Sequence, residues 1–476
     1  MTKHRITAFL LTAFLASGLV SCGGDGRDQV TTPADTSSES VETADPLLPK
    51  DTKKFDGREF VVVTTEIFND LYADEQNGST MNDANYDRDR RTEEELDVKI
   101  RFHSAGPTIK DVYPAVKASV MAGDKDYDLI IAHTNWDLTS YVSDDLVLDW
   151  KTVPHVDFDK VYWNSNIIDS LSINGRSPYA VSDIYISGTV FLLLNKKLAE
   201  DMKLGSLYDY VYDGTWTWEL LSKLSADVMG DVDGNGEMNE LDRYGIALNI
   251  SGSAWLLRNI PSSCGQMIYK NDKDGIKLVV NNEKTQKILE TAASLFNGGG
   301  GYLVKNSTSD GVQEFSAGNY LTYFVSSGSV AMAYNNLEFD YGVLPLPKYD
   351  DKQENYTSLS WGSNMMIPKN ADPEFSGMVS EWMSYYGHKL IRPKFYDSLL
   401  SVRFAQDEET IDMLDIIFNN IDFDPGMSFK SPGFYGYFDR MVQENNTDFA
   451  SYYQSSLASE TKFIENLNTS FENFGK

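Results

Sequence analysis

Residues 231–242 carry oxygen donors at the spacing that calcium-binding loops use. Donors stand at positions 1, 3, 5, 9 and 12, a glycine at position 6 permits the sharp turn, and a main-chain carbonyl can serve position 7. Ca²⁺ is a hard cation that takes roughly six to eight oxygen ligands. We therefore predict a structural calcium site, with a solvated Asp/Asn/Gly turn as the alternative. The residues expected to hold the ion are Asp231, Asp233, Asn235, Glu237 (through its carbonyl), Asn239 and Asp242.

Two features separate this loop from a helix–loop–helix calcium sensor. Position 12 is Asp242 where glutamate is usual, and residues 244–248 have the pattern of a strand. We expect Met238, at position 8, to point inward and pin the loop. The loop also resembles one repeat of a dockerin, a domain that carries two such repeats. A calcium-loop interaction module that docks to a cohesin is therefore one alternative function.

The sequence lacks the common catalytic and cofactor motifs. It has no H-E-x-x-H, G-x-S-x-G or G-x-G-x-x-G pattern, and its five histidines are scattered without ligand spacing. No histidine lies near Cys264 in sequence, so we expect that thiol in the core. We predict no enzyme activity and no organic cofactor. Because some carboxylate pair can always be proposed among 71 acidic residues, a cell-surface glycan-active hydrolase stays open as an alternative.

Aromatic residues are abundant, with 27 Tyr, 24 Phe and 8 Trp. Four tryptophans stand in polar, loop-like settings: Trp136, Trp163, Trp255 and Trp361. Flat apolar rings beside amides and hydroxyls suit a sugar, whose C–H faces stack while its hydroxyls require hydrogen bonds. Each of these rings can equally well fill a core. The composition thus favours sugar binding without selecting the rings that perform it.

The elements that must position these residues alternate between strands and helices, which predicts an α/β fold. Strands are predicted at 59–65, 98–102, 127–132 and 244–248, and helices at 82–96, 113–121, 218–229 and 282–296. Thr217 is the expected cap of one helix, and Asn82 or Asp83 of another. Trp136 follows the strand 127–132, and ligands collect at the carboxyl ends of strands in open α/β sheets.

Charge and length limit the classes of partner. The 476 residues carry a formal net charge of −30, which repels nucleic acid and anionic lipid head groups. After Val20 no apolar run approaches the roughly 18 residues that a membrane helix needs. The charge therefore predicts no nucleic-acid partner, and the missing apolar run predicts no membrane-spanning helix after Val20.

The amino terminus has the form of a bacterial lipoprotein export signal. Lys3 and Arg5 precede an apolar stretch that ends in Leu-Val-Ser-Cys at 19–22, which resembles a lipobox. The resemblance implies a signal peptide at 1–21 and a diacylglycerol membrane anchor on Cys22. An ordinary signal peptide with an accidental cysteine is the alternative. Residues 22–54 are polar and almost free of aromatics, which predicts a disordered tether.

Several segments together resemble the family 1 extracellular solute-binding proteins, the carbohydrate-receptor lipoproteins of ABC importers. They are Asn-Asp-Ala-Asn-Tyr-Asp-Arg-Asp at 82–89, residues 191–198, Thr-Trp-Thr-Trp-Glu-Leu-Leu at 215–221 before the acidic loop, 340–350, and Met-Met-Ile-Pro-Lys-Asn at 365–370. The resemblance runs from about residue 55 to about 425. It implies a type II periplasmic-binding-protein-like fold with two α/β lobes, each discontinuous in sequence, and a hinge between them.

The same resemblance implies a division of the chain and a binding site. Lobe 1 would comprise 55–180 and 341–392, and lobe 2 would comprise 181–340 and 393–476. The residues expected to line the cleft by position are His133, Asn135, Trp136, Asp183, Tyr185, Trp255, Asn336, Ser360 and Trp361.

The implied function is carbohydrate transport. The protein would be a monomeric, lipid-anchored receptor outside the cytoplasm that captures a mono- or oligosaccharide and delivers it to the permease subunits of an ABC transporter.

Overall fold

The structure is a computed structural model whose strands fall into two main sheets and two small ones. It describes residues 45–134, 136, 138–186, 188–251, 253–305, 315–327, 337–360, 362–400 and 408–476, without the side chains of 398–400. The strands are β1 (Arg58–Thr64), β2 (Val98–Ser104), β3 (Leu129–His133), β4 (Val190–Asn195), β5 (Tyr244–Asn249), β6 (Tyr269–Asp272), β7 (Gly275–Leu278), β8 (Gly301–Val304), β9 (Tyr320–Ser326), β10 (Tyr341–Leu344), β11 (Ser358–Leu359), β12 (Ser363–Met366) and β13 (Ile421–Asp422).

Helices connect and cover these strands. They are α1 (Thr80–Leu96), α2 (Val112–Ala122), α3 (Leu138–Ser143), α4 (Ser165–Leu171), α5 (Lys196–Asp201), α6 (Leu207–Tyr212), α7 (Trp218–Val228), α8 (Asn259–Ser263), α9 (Glu283–Phe296), α10 (Pro373–Tyr386), α11 (Arg392–Leu400), α12 (Glu408–Phe418), α13 (Pro425–Ser428), α14 (Tyr437–Gln443) and α15 (Phe449–Asn473). The described residues also include three 3₁₀ turns (Glu66–Phe68, Trp150–Thr152, Ala254–Arg258) and a π-helical turn (Gly387–Ile391). None of the helices in the described part of the chain is both long and apolar enough to cross a membrane.

Local sequence signals set several helix starts. The Thr217 hydroxyl accepts from the Leu220 amide at the start of α7, as predicted, and Asn282 does the same for α9. The α1 prediction was wrong at its start: the cap position is Ser79, and its side chain makes no capping bond. Asp83 instead accepts from the main-chain amide of Asn77, in the loop before the helix.

The first sheet has the order β12–β3–β1–β2. Strands β1, β2 and β3 are parallel, while β12 runs antiparallel to β3. Helix α1 connects β1 to β2, and α2 connects β2 to β3, so the sheet is built from βαβ crossovers. The carboxyl end of β3 is His133, which pairs with Ser363 at the start of β12.

The second sheet has the order β10–β4–β9–β5–β8. Every residue of β4 and β5 is buried, so both faces of the sheet are covered at these strands. Strand β10 pairs antiparallel with β4, from Tyr341 opposite Asn195 to Leu344 opposite Leu192. The lobe boundary predicted at residue 341 is therefore wrong, since the chain stays in the second sheet through Leu344 and rejoins the first sheet only at β12.

Two buried clusters stabilise the sheets. One contains Phe60, Val62 and Ile131 from the first sheet together with Phe375 of α10. The other is built on the second sheet and continues onto the opposite face of the first, where it includes Val63. Cys264 lies in this second cluster at 1% exposure, which confirms the expected core position.

The last part of the predicted tether is folded. The Trp382 indole donates to the carbonyl of Asp51 over 2.9 Å, and the Lys54 ammonium donates to the carbonyls of Glu94 and Glu95. The compact body accordingly begins at Leu47, and the prediction of disorder through residue 54 was wrong for this stretch. Cys22 and the rest of residues 1–44 lie outside the described residues.

Candidate ligand-binding site

A cavity of about 630 Å³ lies at the carboxyl ends of strands from both main sheets. His133 ends β3 of the first sheet, and Ser326 ends β9 of the second. The turn Ala254–Arg258 follows the carboxyl end of β5. The cavity is lined by Ile109, His133, Trp136, Tyr185, Gly188, Thr189, Trp255, Arg258, Ser326, Lys430 and Tyr435. Ligands bind at this end of strands in open α/β sheets, so the cavity is the candidate site.

Four of the predicted residues meet there: His133, Trp136, Tyr185 and Trp255. The Phe68 ring packs between two of them, 6.3 Å from the His133 ring and 5.5 Å from the Tyr185 ring, measured between centroids. Burial, with the nearby charge of Lys430, lowers the pKa of His133 to about 4. His133 is therefore a neutral imidazole at physiological pH, able to exchange hydrogen bonds with a hydroxyl.

Trp136 lies on the turn after β3, where its amide bonds the His133 carbonyl over 3.1 Å. The Lys430 ammonium is 3.6 Å from the Trp136 ring centroid, and the Lys110 ammonium is 4.7 Å from the same point. Two cations thus share one indole through cation–π contacts. The ring serves here as a platform for ammonium groups as well as a wall of the cavity.

Trp255 and Arg258 occupy the same helical turn after β5. The Arg258 guanidinium forms a two-point ion pair with Asp439, at 3.1 and 3.0 Å, and lies 4.5 Å from the centroid of Tyr435. This pairing fixes the orientation of the guanidinium. Asp439 and Tyr435 therefore hold Arg258 in place at this wall of the cavity.

The remaining polar wall comes from the segment that enters β4. The Thr189 hydroxyl donates to the Leu359 carbonyl over 3.1 Å. Ser360, a predicted ligand residue, instead donates its hydroxyl to the Gly188 carbonyl over 2.9 Å. Ser360 therefore supports the wall from behind and does not line the cavity itself.

Asp183 was also expected to line the cleft, and the structure places it elsewhere. It is buried beside the helix that runs from α10 through the π-helical turn into α11, and it is 2.7 Å from Nδ1 of His388 and 3.2 Å from Arg392. A Cβ on Gly387 would lie 2.1 Å from the Asp183 carbonyl, so the helix approaches this segment as closely as glycine permits. The Asp183 carboxylate thus fastens the helix to the segment between the two sheets.

The other predicted aromatics and amides are distributed as follows. Trp163 is a core residue: its ring packs on Trp150 and Phe158, and its indole donates to Glu381 over 2.8 Å. Asn135, Asn336 and Trp361 lie outside the described residues.

Hydrogen bonds within the acidic loop hold it closed. Asp231 accepts from the amides of Gly234 and Gly236, and the buried Asp242 accepts from Val232 and Asn239.

The carboxylates of Asp231, Asp233 and Asp242 lie within 4.8 Å of one another, a donor set that fits a hard cation. Asn235 accepts from the Glu237 amide, and the Glu237 carbonyl accepts from the Asn239 side chain. The Met238 side chain is 43% exposed, so the prediction that it points inward was wrong.

The loop stands at the amino end of β5, whereas Trp255 and Arg258 follow its carboxyl end. A six-residue strand spans roughly 20 Å, which separates the loop from the cavity. Tyr320 and Asn319 bond main-chain carbonyls of the loop and so tie it to the second sheet. Any ion held there would brace the sheet without contacting a ligand in the cavity.

Sequence reasoning missed Arg258, Lys430 and Tyr435. Arg258 carried a usable signal, because it stands three residues after Trp255 and shares its helical face. Lys430 and Tyr435 carried none, since they come from a distant segment beyond the reach of the family resemblance.

The family model described as bacterial extracellular solute-binding protein matches residues 89–389. This match spans more than half of the chain. The chain belongs to the bacterial extracellular solute-binding proteins. Membership places the protein outside the cytoplasm, and the resemblance to extracellular solute-binding proteins that was stated from sequence is confirmed. No curated protein sequence matches the chain.

Solved structures with the same fold include the sugar-binding protein MalE from Xanthomonas citri, with a TM-score of 0.61, 12% identity, and coverage of 88% of this chain and 100% of that one. The cyclic alpha-maltosyl-1,6-maltose binding protein from Arthrobacter globiformis gives 0.58 and 13%, covering 87% and 100%. The galacto-N-biose-/lacto-N-biose I-binding protein of the ABC transporter from Bifidobacterium longum gives 0.57 and 11%, covering 87% and 98%. The two-lobed periplasmic-binding-protein-like fold is therefore confirmed.

Proposed function

We propose that this solute-binding protein is a lipid-anchored receptor that captures a carbohydrate and delivers it to the permease of an ABC importer. The observation that carries the proposal is the cavity itself. Four half-buried aromatic rings (Trp136, Tyr185, Trp255 and Tyr435) surround it together with hydroxyl, imidazole and cationic groups. Rings that stack on C–H faces beside groups that bond hydroxyls are what a saccharide requires.

Capture follows from the position of the cavity. Its walls come from the ends of two separate sheets, joined by the segment before β4, the segment between β10 and β12, and the helix that continues from α10 into α11. A ligand that contacts both sides stabilises the closed arrangement by its differential affinity for that state. The permease then receives the closed, loaded form.

The anchor gives this receptor its place of action. A diacylglycerol on Cys22 and the tether after it would keep the body near the membrane, which raises the local concentration of loaded receptor at the permease. The acidic loop would hold a structural Ca²⁺ through Asp231, Asp233 and Asp242, the carboxylates that the fold brings together.

A ligand screen tests the function. Purified protein is melted in the presence of mono- and oligosaccharides and, in parallel, of amino acids, peptides, polyamines and nucleosides. At least one saccharide is expected to raise the melting temperature, since a ligand at a hundred times its dissociation constant contributes about 2.7 kcal/mol. Stabilisation by another solute class alone would refute the proposal, and release of hydrolysis products would favour the glycan-hydrolase alternative.

A further inference from the structure

Part of the cavity wall has no regular secondary structure. Lys430 and Tyr435 line the cavity, and both lie in the wall segment, residues 430–436, between α13 and α14. These residues, all of them described, belong to no strand or helix. Main-chain bonds link them to near neighbours, as in the bond from the Tyr435 amide to the Ser431 carbonyl over 3.1 Å. Side-chain contacts from other elements therefore help to decide where the Tyr435 ring lies.

The contact behind the wall segment is a buried carboxylate, that of Glu460 in α15. Its side chain is 0% exposed. One carboxylate oxygen accepts from the Ser431 hydroxyl over 2.8 Å and from the Tyr269 hydroxyl of β6. The other oxygen accepts from the Gly433 amide over 2.9 Å. The carboxylate thus joins the wall segment to a helix and a strand that lie outside it.

A carboxylate at this position is costly to the fold. Glu460 shares the buried face of α15 with Phe449, Leu467 and Phe471. Its hydrogen bonds within the described part of the chain come from neutral donors. Burial of a charge without a cation is unfavourable unless hydrogen bonds offset the lost hydration. An apolar side chain would fill this face without that cost, so the carboxylate points to a requirement in the segment that it binds.

The wall segment and α15 are in close contact at Gly433. A Cβ on Gly433 would lie 2.9 Å from Oε2 of Glu460, so a larger residue would push the two apart. The hydroxyl of Tyr452, also in α15, donates to the Gly433 carbonyl over 2.6 Å. The amide and the carbonyl of Gly433 are therefore both bonded to α15. Tyr435 follows two residues later, with its ring centroid 4.5 Å from the Arg258 guanidinium.

We infer that Glu460 is a positioning residue for saccharide binding, although it does not line the cavity. It holds Ser431 and Gly433 and thereby sets the place of the Tyr435 ring, one of the stacking surfaces of the cavity. Binding sites need their contact groups held to within roughly 0.5 Å by supporting contacts of this kind. The inference rests on the proposed function and adds to it a residue outside the cavity.

Two variants break the contact from its two sides. In Glu460→Gln, glutamine keeps the shape but has a single acceptor oxygen, so it cannot serve both Ser431 and Gly433 in the present arrangement. Ser431→Ala removes the donor on the wall segment. Each is expected to weaken saccharide binding about tenfold. Because both changes break the same contact, the double variant is expected to bind within about twofold of Glu460→Gln alone.

Two controls on the same helix separate positioning from general stability. The Asn468 side chain bonds the amide and the carbonyl of Ile276 in β7, over 2.9 and 3.2 Å. Asn468→Ala is therefore expected to lower the melting temperature and to leave saccharide affinity unchanged. Glu465→Gln removes an exposed carboxylate and controls for the change in net charge.

Two measurements give the result. Calorimetric titrations of the purified full-length protein use maltose, cellobiose and lactose as probes, together with each saccharide that raises the melting temperature in the screen. They are made well below the melting transition of each variant, so that the affinity is that of folded protein. Hydrogen exchange of the unliganded protein reports on the wall segment itself, and in Glu460→Gln its amides are expected to exchange about tenfold faster.

The outcomes separate the inference from the function beneath it. Unchanged saccharide affinity in Glu460→Gln, or unchanged exchange of its wall segment, would overturn the inference and leave the sugar receptor intact. An equal loss of affinity in Asn468→Ala would show that affinity follows overall stability, which also overturns the inference. If no saccharide binds the wild-type protein, the proposed function and the inference are both wrong.

Discussion

Asp183→Asn is expected to destabilise the fold and not to remove a ligand contact. The carboxylate is buried with its side chain 10% exposed, and it is paired with His388 and Arg392, whose side chains are 22% and 23% exposed. Asparagine keeps the shape but removes the charge, which leaves the Arg392 cation without its partner. Removing one partner of a buried pair typically costs about 3–5 kcal/mol, and some access of water to Arg392 places the expected loss near 3 kcal/mol.

The expected change in melting temperature follows from the number of residues that unfold. Unfolding entropy of about 2.1 cal/mol/K per residue gives roughly 0.9 kcal/mol/K for a body that runs from Leu47 to Lys476, so a loss near 3 kcal/mol lowers the melting temperature by about 3 °C. The assay is differential scanning calorimetry of the unliganded protein. Asp169→Asn, at an exposed position, is the matched control and is expected to shift the transition by less than about 0.5 °C. An unchanged melting temperature combined with lost saccharide affinity would show that Asp183 is a ligand residue and refute this reasoning.

Four further results are expected. Trp255→Ala removes a stacking surface of roughly 60 Å², worth about 1.5 kcal/mol, and should weaken saccharide binding about tenfold in calorimetric titrations without unfolding the protein. Because the pKa of His133 is lowered in the folded protein, the unfolded chain binds the imidazole proton more tightly. The stability that the neutral imidazole contributes is therefore present above about pH 6.5 and is lost as the pH falls toward 4. Urea melts of His133→Asn should lack this part of the pH dependence of stability. Chelation should lower the melting temperature by about 3 °C if the acidic loop holds Ca²⁺, and Asp231→Asn should abolish that sensitivity; an equal effect of chelator on both proteins would contradict the site. Cys22→Ser should leave saccharide affinity unchanged and impair uptake by cells, and a variant that lost affinity instead would mean that the anchor was misread.

Local signals in the sequence predicted much of the fold. The cap of α7 at Thr217 depends on the next three residues only, and the strand predicted at 244–248 is β5. The position of Trp136 could be predicted because it follows the strand predicted at 127–132, at whose carboxyl end ligands bind, whereas His133 and Trp255 were predicted from the family resemblance.

The parts that could not be predicted depend on contacts between distant segments. The partners of Asp183 lie 205 and 209 residues away in sequence, so the residues around Asp183 gave no indication that it binds a helix. Strand β10 joins the second sheet by antiparallel pairing with β4, and no periodicity within 341–344 specifies that partner. Lys430 enters the cavity through a left-handed turn at the end of a four-residue helix, and its sequence alone gives no sign of that conformation.

Hydrogen–deuterium exchange with and without a bound saccharide tests most directly whether the sugar is held between the two sheets. Slower exchange is expected in three segments that are far apart in sequence: the end of β3 through Trp136, the turn Ala254–Arg258, and residues 430–435. Simultaneous protection of all three would place the ligand in the cavity and show closure around it. Protection confined to one sheet, or to the acidic loop, would contradict capture of a carbohydrate in this cleft.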